Sequence, residues 1–71
     1  MKLHYYPETD SLYIELKAAP GAETREVAQG LNADLDSADD VVGFDIDGAC
    51  HRLDLTTLET IALPTKTTSA A

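Results

Sequence analysis

Four short runs of this chain alternate apolar and polar residues with a period of two, and this alternation constrains the fold more than any other feature. The runs occupy residues 12–16, 23–27, 31–36 and 42–47, and a similar run at residues 2–6 precedes them. Successive side chains on a β-strand point to opposite faces, so the pattern predicts one sheet with an apolar face and a polar, acidic face. The alternation indicates a fold and says nothing about a reaction.

Turn-forming residues separate the predicted strands. Residues 7–11 favour a hairpin between the first two strands, and residues 37–40 favour another between the last two. Residues 23–27 carry charge on both faces, which is typical of an edge strand. Gly43 leaves the polar face of the fifth strand without a side chain, which often marks a bulge or a close approach of another backbone segment.

The period changes after Gly48 and predicts one short helix over residues 50–61, laid on the apolar face and ended by Pro64. The predicted fold class is therefore α+β, a small antiparallel β-meander of about five strands with one short C-terminal helix. We expect a single domain over residues 1–63 and a disordered tail over residues 64–71.

The chain is 71 residues long, and a chain of this size buries only about 60% of the surface that it exposes when unfolded. One short helix can hardly cover a five-stranded sheet, so we expect a homodimer. The same small size leaves little room for a pocket of the roughly 300–1,000 Å³ typical of ligand sites, unless two copies build one between them.

Acidic residues dominate the charge, with 13 Asp and Glu against 5 Lys and Arg and a net charge of −8. This balance argues against binding to nucleic acid or to anionic membranes and favours a small basic protein as partner. The first residues lack the apolar segment of a signal peptide, and no run is long enough to span a bilayer, so we expect a cytoplasmic protein.

Three segments together resemble a family of small bacterial proteins. They are residues 6–14 (YPETDSLYI), residues 23–27 (ETREV) and the pair formed by residues 31–36 and 41–46. Over about residues 1–55 they resemble the domain of unknown function family 2283, the YuzE-like proteins. The resemblance implies a compact antiparallel sheet with a terminal helix, an antitoxin-like role beside a small basic protein, and no catalytic residues.

Four aspartates are predicted to lie close together on the polar face of the last two strands. They are the acidic-face binding candidates Asp34, Asp36, Asp45 and Asp47. Such a cluster could bind Ca²⁺ or Mg²⁺ or a cationic partner, and it could equally be a solvated outer face. The EF-hand spacing is absent, so the sequence assigns no metal ligands.

Three further residues are interface candidates: Tyr13, Arg25 and Glu23. A tyrosine offers both apolar area and a hydroxyl to a partner, whereas Tyr5 is expected in the core. Arg25 stands between Glu23 and Glu26. Its guanidinium could stabilise a dimer interface by pairing with a carboxylate, or it could form an ordinary surface ion pair.

A single cysteine excludes an internal disulfide. Cys50 and His51 are neighbours in sequence and are expected to point apart, so we expect a half-buried structural cysteine rather than a nucleophile or a metal ligand. No catalytic constellation and no cofactor motif is visible. The sequence therefore favours a non-catalytic interaction module, with a metal- or ligand-binding protein as the alternative.

Overall fold

The computed structural model describes residues 1–64 and contains one five-stranded antiparallel sheet followed by one helical turn. The elements are β1 (Lys2–Tyr6), β2 (Ser11–Glu15), β3 (Glu23–Ala28), β4 (Leu31–Leu35), β5 (Val41–Asp47) and α1 (Ala49–Arg52). The predicted α+β class, with five strands and one short C-terminal helix, is confirmed.

The strands lie in the order β1-β2-β5-β4-β3. Both predicted hairpins are present, and β3 is an edge strand as predicted, but β2 pairs with β5, so the five strands do not follow one another as a simple meander. Leu12 lies opposite Ile46, and Ile14 lies opposite Phe44. This order places the apolar side chains of β5 between those of β2 and β4 and leaves the charged β3 at the edge.

The helix is much shorter than the predicted span of residues 50–61. It ends after Arg52, where Leu53 is extended (φ −126°, ψ 151°). The Asp54 carboxylate accepts hydrogen bonds from both the backbone N–H (3.0 Å) and the hydroxyl (2.5 Å) of Thr56. Such local bonds offer the backbone an alternative to helix, and residues 53–64 contain no helical turn. Of the predicted tail, residues 65–71 lie outside the described residues.

The core is small and lies mainly along β2, β4 and β5. Its buried apolar residues are Leu12, Ala33, Leu35, Val42 and Ala49. Phe44 and Ile46 are only half-buried, and Tyr5, expected in the core, is exposed. One helical turn cannot cover a five-stranded sheet, so much of the apolar face stays open. Within residues 1–64, no helix has the length and apolar character needed to cross a membrane.

Candidate functional site

An apolar groove of about 660 Å³ runs between the first hairpin and the chain that follows α1. This groove, called the apolar groove below, is lined by Leu3, Tyr5, Leu12, Ile14, Cys50, Leu53, Asp54, Leu55, Thr57 and Leu58. The expectation that so short a chain has little room for a pocket is wrong. The segment after Arg52 extends beside the sheet instead of packing on it as a helix, and this leaves the groove open.

Large apolar side chains form the rim of the apolar groove and are exposed to solvent. Leu58 is 76% exposed, Leu3 48% and Leu55 40%. Contiguous apolar surface of this kind is typical of an interaction site, whereas single exposed apolar residues are ordinary. The groove is therefore a candidate docking surface.

On the opposite face of the sheet, one tyrosine crosses a neighbouring strand. The Tyr13 hydroxyl on β2 donates to Asp34 Oδ2 on β4 at 2.8 Å, and the Thr24 hydroxyl on β3 donates to Asp34 Oδ1 at 2.8 Å. The ring lies over Gly43 of β5, where a Cβ would come within 2.3 Å of the Tyr13 oxygen. The register between β4 and β5 shifts next to Gly43, in agreement with the predicted bulge, and the group that approaches Gly43 most closely is the Tyr13 side chain rather than backbone. The bond to Asp34, with desolvation, raises the pKa of Tyr13 to about 12.

The four predicted aspartates do not form one cluster, and this expectation is wrong. Asp45 lies near Asp34 and Asp47, and its pKa is raised by desolvation first and then by these two carboxylates. Asp36 lies at the other end of the sheet, where its Oδ1 accepts the N–H groups of Ala38 (2.8 Å) and Asp40 (3.0 Å). The antiparallel register explains the separation, because Asp47 follows the Leu31–Ile46 pair while Asp36 follows the Leu35–Val41 pair.

The interface candidate Arg25 makes two ion pairs on the surface. Its Nε contacts Glu23 of the same strand, and its second contact is Asp39, with Nη2 3.5 Å from Oδ1. Glu26 lies opposite Asn32, on the other face from Arg25. With 56% of the arginine side chain exposed, the geometry is that of an ordinary surface pair. An interface role for Tyr13, Arg25 and Glu23 stays a prediction.

A third group, missed by the sequence analysis, joins the first hairpin to α1. Candidate ligand atoms of Asp10, Cys50 and His51 all lie within 4.8 Å of one another. The expectation that Cys50 and His51 point apart is wrong, and Cys50 is exposed rather than half-buried. From the sequence, Asp10 could be identified only as a turn residue. The composition of a turn does not indicate which distant segment packs against it.

Hydrogen bonds hold the Asp10 carboxylate in place. The Tyr5 hydroxyl (2.7 Å) and the Cys50 N–H (3.0 Å) both donate to Oδ1, while the Cys50 thiol donates to Oδ2 at 3.0 Å. The Ala49 N–H also donates to the Asp10 carbonyl at 2.9 Å. The bonds from Cys50 and Tyr5 lower the pKa of Asp10, and the bond to Asp10 raises the pKa of the Cys50 thiol.

Comparison with known families identifies one match. Residues 2–49 match the family described as "Protein of unknown function (DUF2283)". This match covers 48 of the 71 residues, and the chain belongs to that family. Neither the comparison with curated proteins nor that with solved structures found a match.

Proposed function

We propose that this DUF2283 protein is a non-catalytic interaction module that pairs with a second copy of itself through the apolar groove. In addition, its acidic face binds a small basic protein, as an antitoxin-like partner would. The observation that carries the proposal is the open apolar face, on which the groove residues Leu3, Leu55 and Leu58 remain exposed. Covering such a surface is the main source of free energy for association.

A second copy is the occupant that best fits the apolar groove. Asp54 is the one charged residue among those that line it. The groove therefore offers a basic partner few opposite charges to bind. Another copy presents an equally apolar surface. A stable interface buries about 800 Å² on each partner, which is roughly one seventh of the 5658 Å² surface of the chain, so a stable dimer must bury surface around the groove in addition to its lining.

The acidic surface lies on the opposite face of the sheet and stays free in such a dimer. By the strand registers this face carries five carboxylates, those of Glu15, Glu26, Asp34, Asp45 and Asp47. Lys2, opposite Glu15, shares the face with them. An excess of one charge sign steers partners of the opposite sign and sets specificity more than affinity. A small basic protein is the partner that this face fits.

The alternative, a divalent cation on the acidic face, has less support. Both oxygens of Asp34 accept hydrogen bonds within the sheet, from Tyr13 and from Thr24. The two outer aspartates of the predicted set, Asp36 and Asp47, are at opposite ends. A Ca²⁺ ion takes six to eight oxygen ligands at short distance, and the registers of β4 and β5 do not bring these four carboxylates together.

Light scattering after size exclusion at about 0.15 M salt tests self-association, since exposed charges are largely screened there. The wild type should elute at about twice the 7.6 kDa chain mass, and Leu58→Glu should elute as a monomer. The matched control is Val27→Glu, because Val27 is 57% exposed on β3 and does not line the groove. A monomeric wild type, or a Leu58→Glu variant that still dimerises, would overturn this part of the proposal.

A pull-down from the native host at the same salt tests the basic partner. The wild type should retain a stoichiometric small basic protein. A variant with Glu15→Gln, Glu26→Gln and Asp47→Asn should lose it, and Leu58→Glu should keep it. Retention by the variant with three carboxylates neutralised, or the absence of any basic protein, would contradict the role of the acidic face and leave the dimer result standing.

A further inference from the structure

We infer that Asp10, Cys50 and His51 form a zinc site at the edge of the apolar groove. Their candidate ligand atoms lie within 4.8 Å of one another. A tetrahedral ion with usual bond lengths to sulfur, nitrogen and oxygen needs ligand atoms about 3.3–3.5 Å apart. Binding therefore needs side-chain rotations that bring the most distant of these atoms closer and widen the 3.0 Å separation between the Cys50 sulfur and Asp10 Oδ2.

The donor set selects the metal. One thiol, one imidazole and one carboxylate form a mixed set of soft and hard ligands, which suits Zn²⁺ and does not suit Ca²⁺ or Mg²⁺. Three protein ligands leave a fourth position for water or for a group from a bound partner. Cys50 and His51 are exposed, so an ion can enter from solvent.

Hydrogen bonds orient the Asp10 carboxylate for this role. Oδ1 accepts from the Tyr5 hydroxyl (2.7 Å) and the Cys50 N–H (3.0 Å), while Oδ2 faces the Cys50 sulfur and accepts the same N–H only at 3.3 Å. This division is typical of ligating carboxylates, whose second oxygen is held by outer hydrogen bonds. Tyr5 is therefore a positioning residue for the site.

The backbone brings the ligands together across 40 residues of chain. The Ala49 N–H donates to the Asp10 carbonyl at 2.9 Å, which ties the β1–β2 turn to the start of α1. Asp10 adopts φ 52° in this turn. Ala49 is completely buried beside Cys50, so the two segments are fixed by packing as well as by the hydrogen bond. Such preorganisation lowers the cost of assembling ligands around an ion.

Zinc binding would replace a proton. The Cys50 S–H donates to Asp10 Oδ2, so a proton occupies the space between two of the ligand atoms. On binding, the S–H bond breaks, a Zn–S bond forms, and one proton leaves to solvent. No electron is transferred, and no further reactant is needed.

The test uses the full chain, kept reduced with a phosphine, and Co²⁺ as a spectroscopic probe for Zn²⁺. Wild type should bind one ion per chain, with a Kd for Zn²⁺ of about 10 µM or tighter, and Co²⁺ should give a thiolate-to-metal charge-transfer band. Cys50→Ser should lose this band, and His51→Ala should bind Zn²⁺ at least about tenfold more weakly. Circular dichroism checks that each variant is folded.

The control is His4→Ala, which removes the other histidine; its ring stacks on Tyr6 with centroids 4.2 Å apart. This variant should bind both ions like the wild type. Asp10→Asn also removes a bond that holds α1, so His51→Ala gives the decisive comparison. A wild type without the charge-transfer band, or equal Zn²⁺ affinity for His51→Ala and wild type, would overturn the site. Neither result depends on dimerisation or on the basic partner.

Discussion

The hydroxyl of Tyr13 on β2 lies 2.8 Å from the carboxylate of Asp34 on β4, although β5 runs between these two strands. The bond is possible because Gly43 has no side chain at the crossing point. Thr24 extends the network to β3 through the other oxygen of Asp34. One line of polar contacts therefore joins β2, β4 and β3 across β5, on the face opposite the apolar groove.

Gly43→Ala should destabilise the fold by displacing the Tyr13 ring. A Cβ at this position would come within 2.3 Å of the Tyr13 oxygen and 2.7 Å of Cζ. The ring must move, and the bond to Asp34 is lost with it. We expect a loss of about 1–3 kcal/mol in the free energy of unfolding, as for other substitutions that overpack a filled site. Urea unfolding followed by circular dichroism measures it.

The Tyr13→Ala background provides the control for this substitution. Without the ring, Gly43→Ala should be neutral or should stabilise by about 0.5–1 kcal/mol, since glycine is unfavourable within a strand. An equal loss in both backgrounds would show that the backbone around Gly43, and not the tyrosine, determines the effect.

Alkaline pH should remove the stabilising contribution of Tyr13. Its hydroxyl is the donor to Asp34, and this bond raises the pKa from 10.0 in a free side chain to about 12. Because the folded-state pKa is the higher one, the contribution is fully present below pH 10 and is lost between pH 10 and 12. Below pH 10, Tyr13→Phe should be less stable than wild type by about 0.5–1.5 kcal/mol.

Urea unfolding of both proteins between pH 8 and 11.5 measures this difference directly. Effects of other groups, including Tyr5, whose pKa is raised by its bond to Asp10, cancel in the comparison. The two stabilities should converge above pH 10. A difference that stays constant over the whole range would mean that Tyr13 and Asp34 are not coupled in solution.

The sheet could be predicted because alternation is a local property that each strand carries on its own. The pairing of β2 with β5 could not, since the same alternation is compatible with several strand orders. It follows from the matching of apolar side chains across strands, as in the pair Leu12 and Ile46. The crossing at Gly43 was partly predictable, because a glycine in a strand already indicates a close approach.

The sequence could predict neither the structure after α1 nor the group formed by Asp10, Cys50 and His51, and the reasons differ. Leu55 and Leu58 have helical spacing, but the local bonds between Asp54 and Thr56 favour a turn. The contact of Asp10 with Cys50 joins the β1–β2 turn to α1, 40 residues away in sequence. Periodicity carries no information about how loops pack, so only the three-dimensional structure brings these side chains together.

Asp36→Ala should lower the free energy of unfolding by removing hydrogen bonds in the β4–β5 loop. The loss should be larger at neutral than at low pH. Its Oδ1 accepts the N–H groups of Ala38 and Asp40, and these bonds, led by that from Asp40, lower the pKa of Asp36 below 3.8. Since the folded-state pKa is depressed, the contribution is present above about pH 3.8 and is lost as pH falls through the folded value.

Urea midpoints of wild type and Asp36→Ala at pH 7, 4 and 2.5 measure the effect. The gap between them should be widest at pH 7 and should narrow as the pH falls to 2.5. Asp40→Ala is the matched control, because it removes a carboxylate of the same loop that contacts Lys17 and accepts neither N–H. A gap that does not change with pH would contradict the assignment.

Two glycines with positive φ should differ in how much they tolerate alanine. A Cβ added at Gly48 (φ +64°) would have nothing within 4 Å, whereas one added at Gly30 (φ +75°) would come within 2.9 Å of the Arg52 guanidinium. Gly48→Ala should therefore cost about 1–2 kcal/mol from backbone strain alone. Gly30→Ala should cost more, because Arg52 must also leave the Gln29 carbonyl to which it donates.

A double-mutant cycle with Arg52→Ala separates the two contributions, since coupled residues depart from additivity. In the Arg52→Ala background, the loss for Gly30→Ala should fall to that of Gly48→Ala, and thermal or urea unfolding gives all the values needed. If Gly30→Ala costs no more than Gly48→Ala in the wild-type background, then Arg52 does not hold this turn. The β3–β4 turn would then be held by the backbone bond from the Asp47 N–H at the end of β5 to the Gly30 carbonyl.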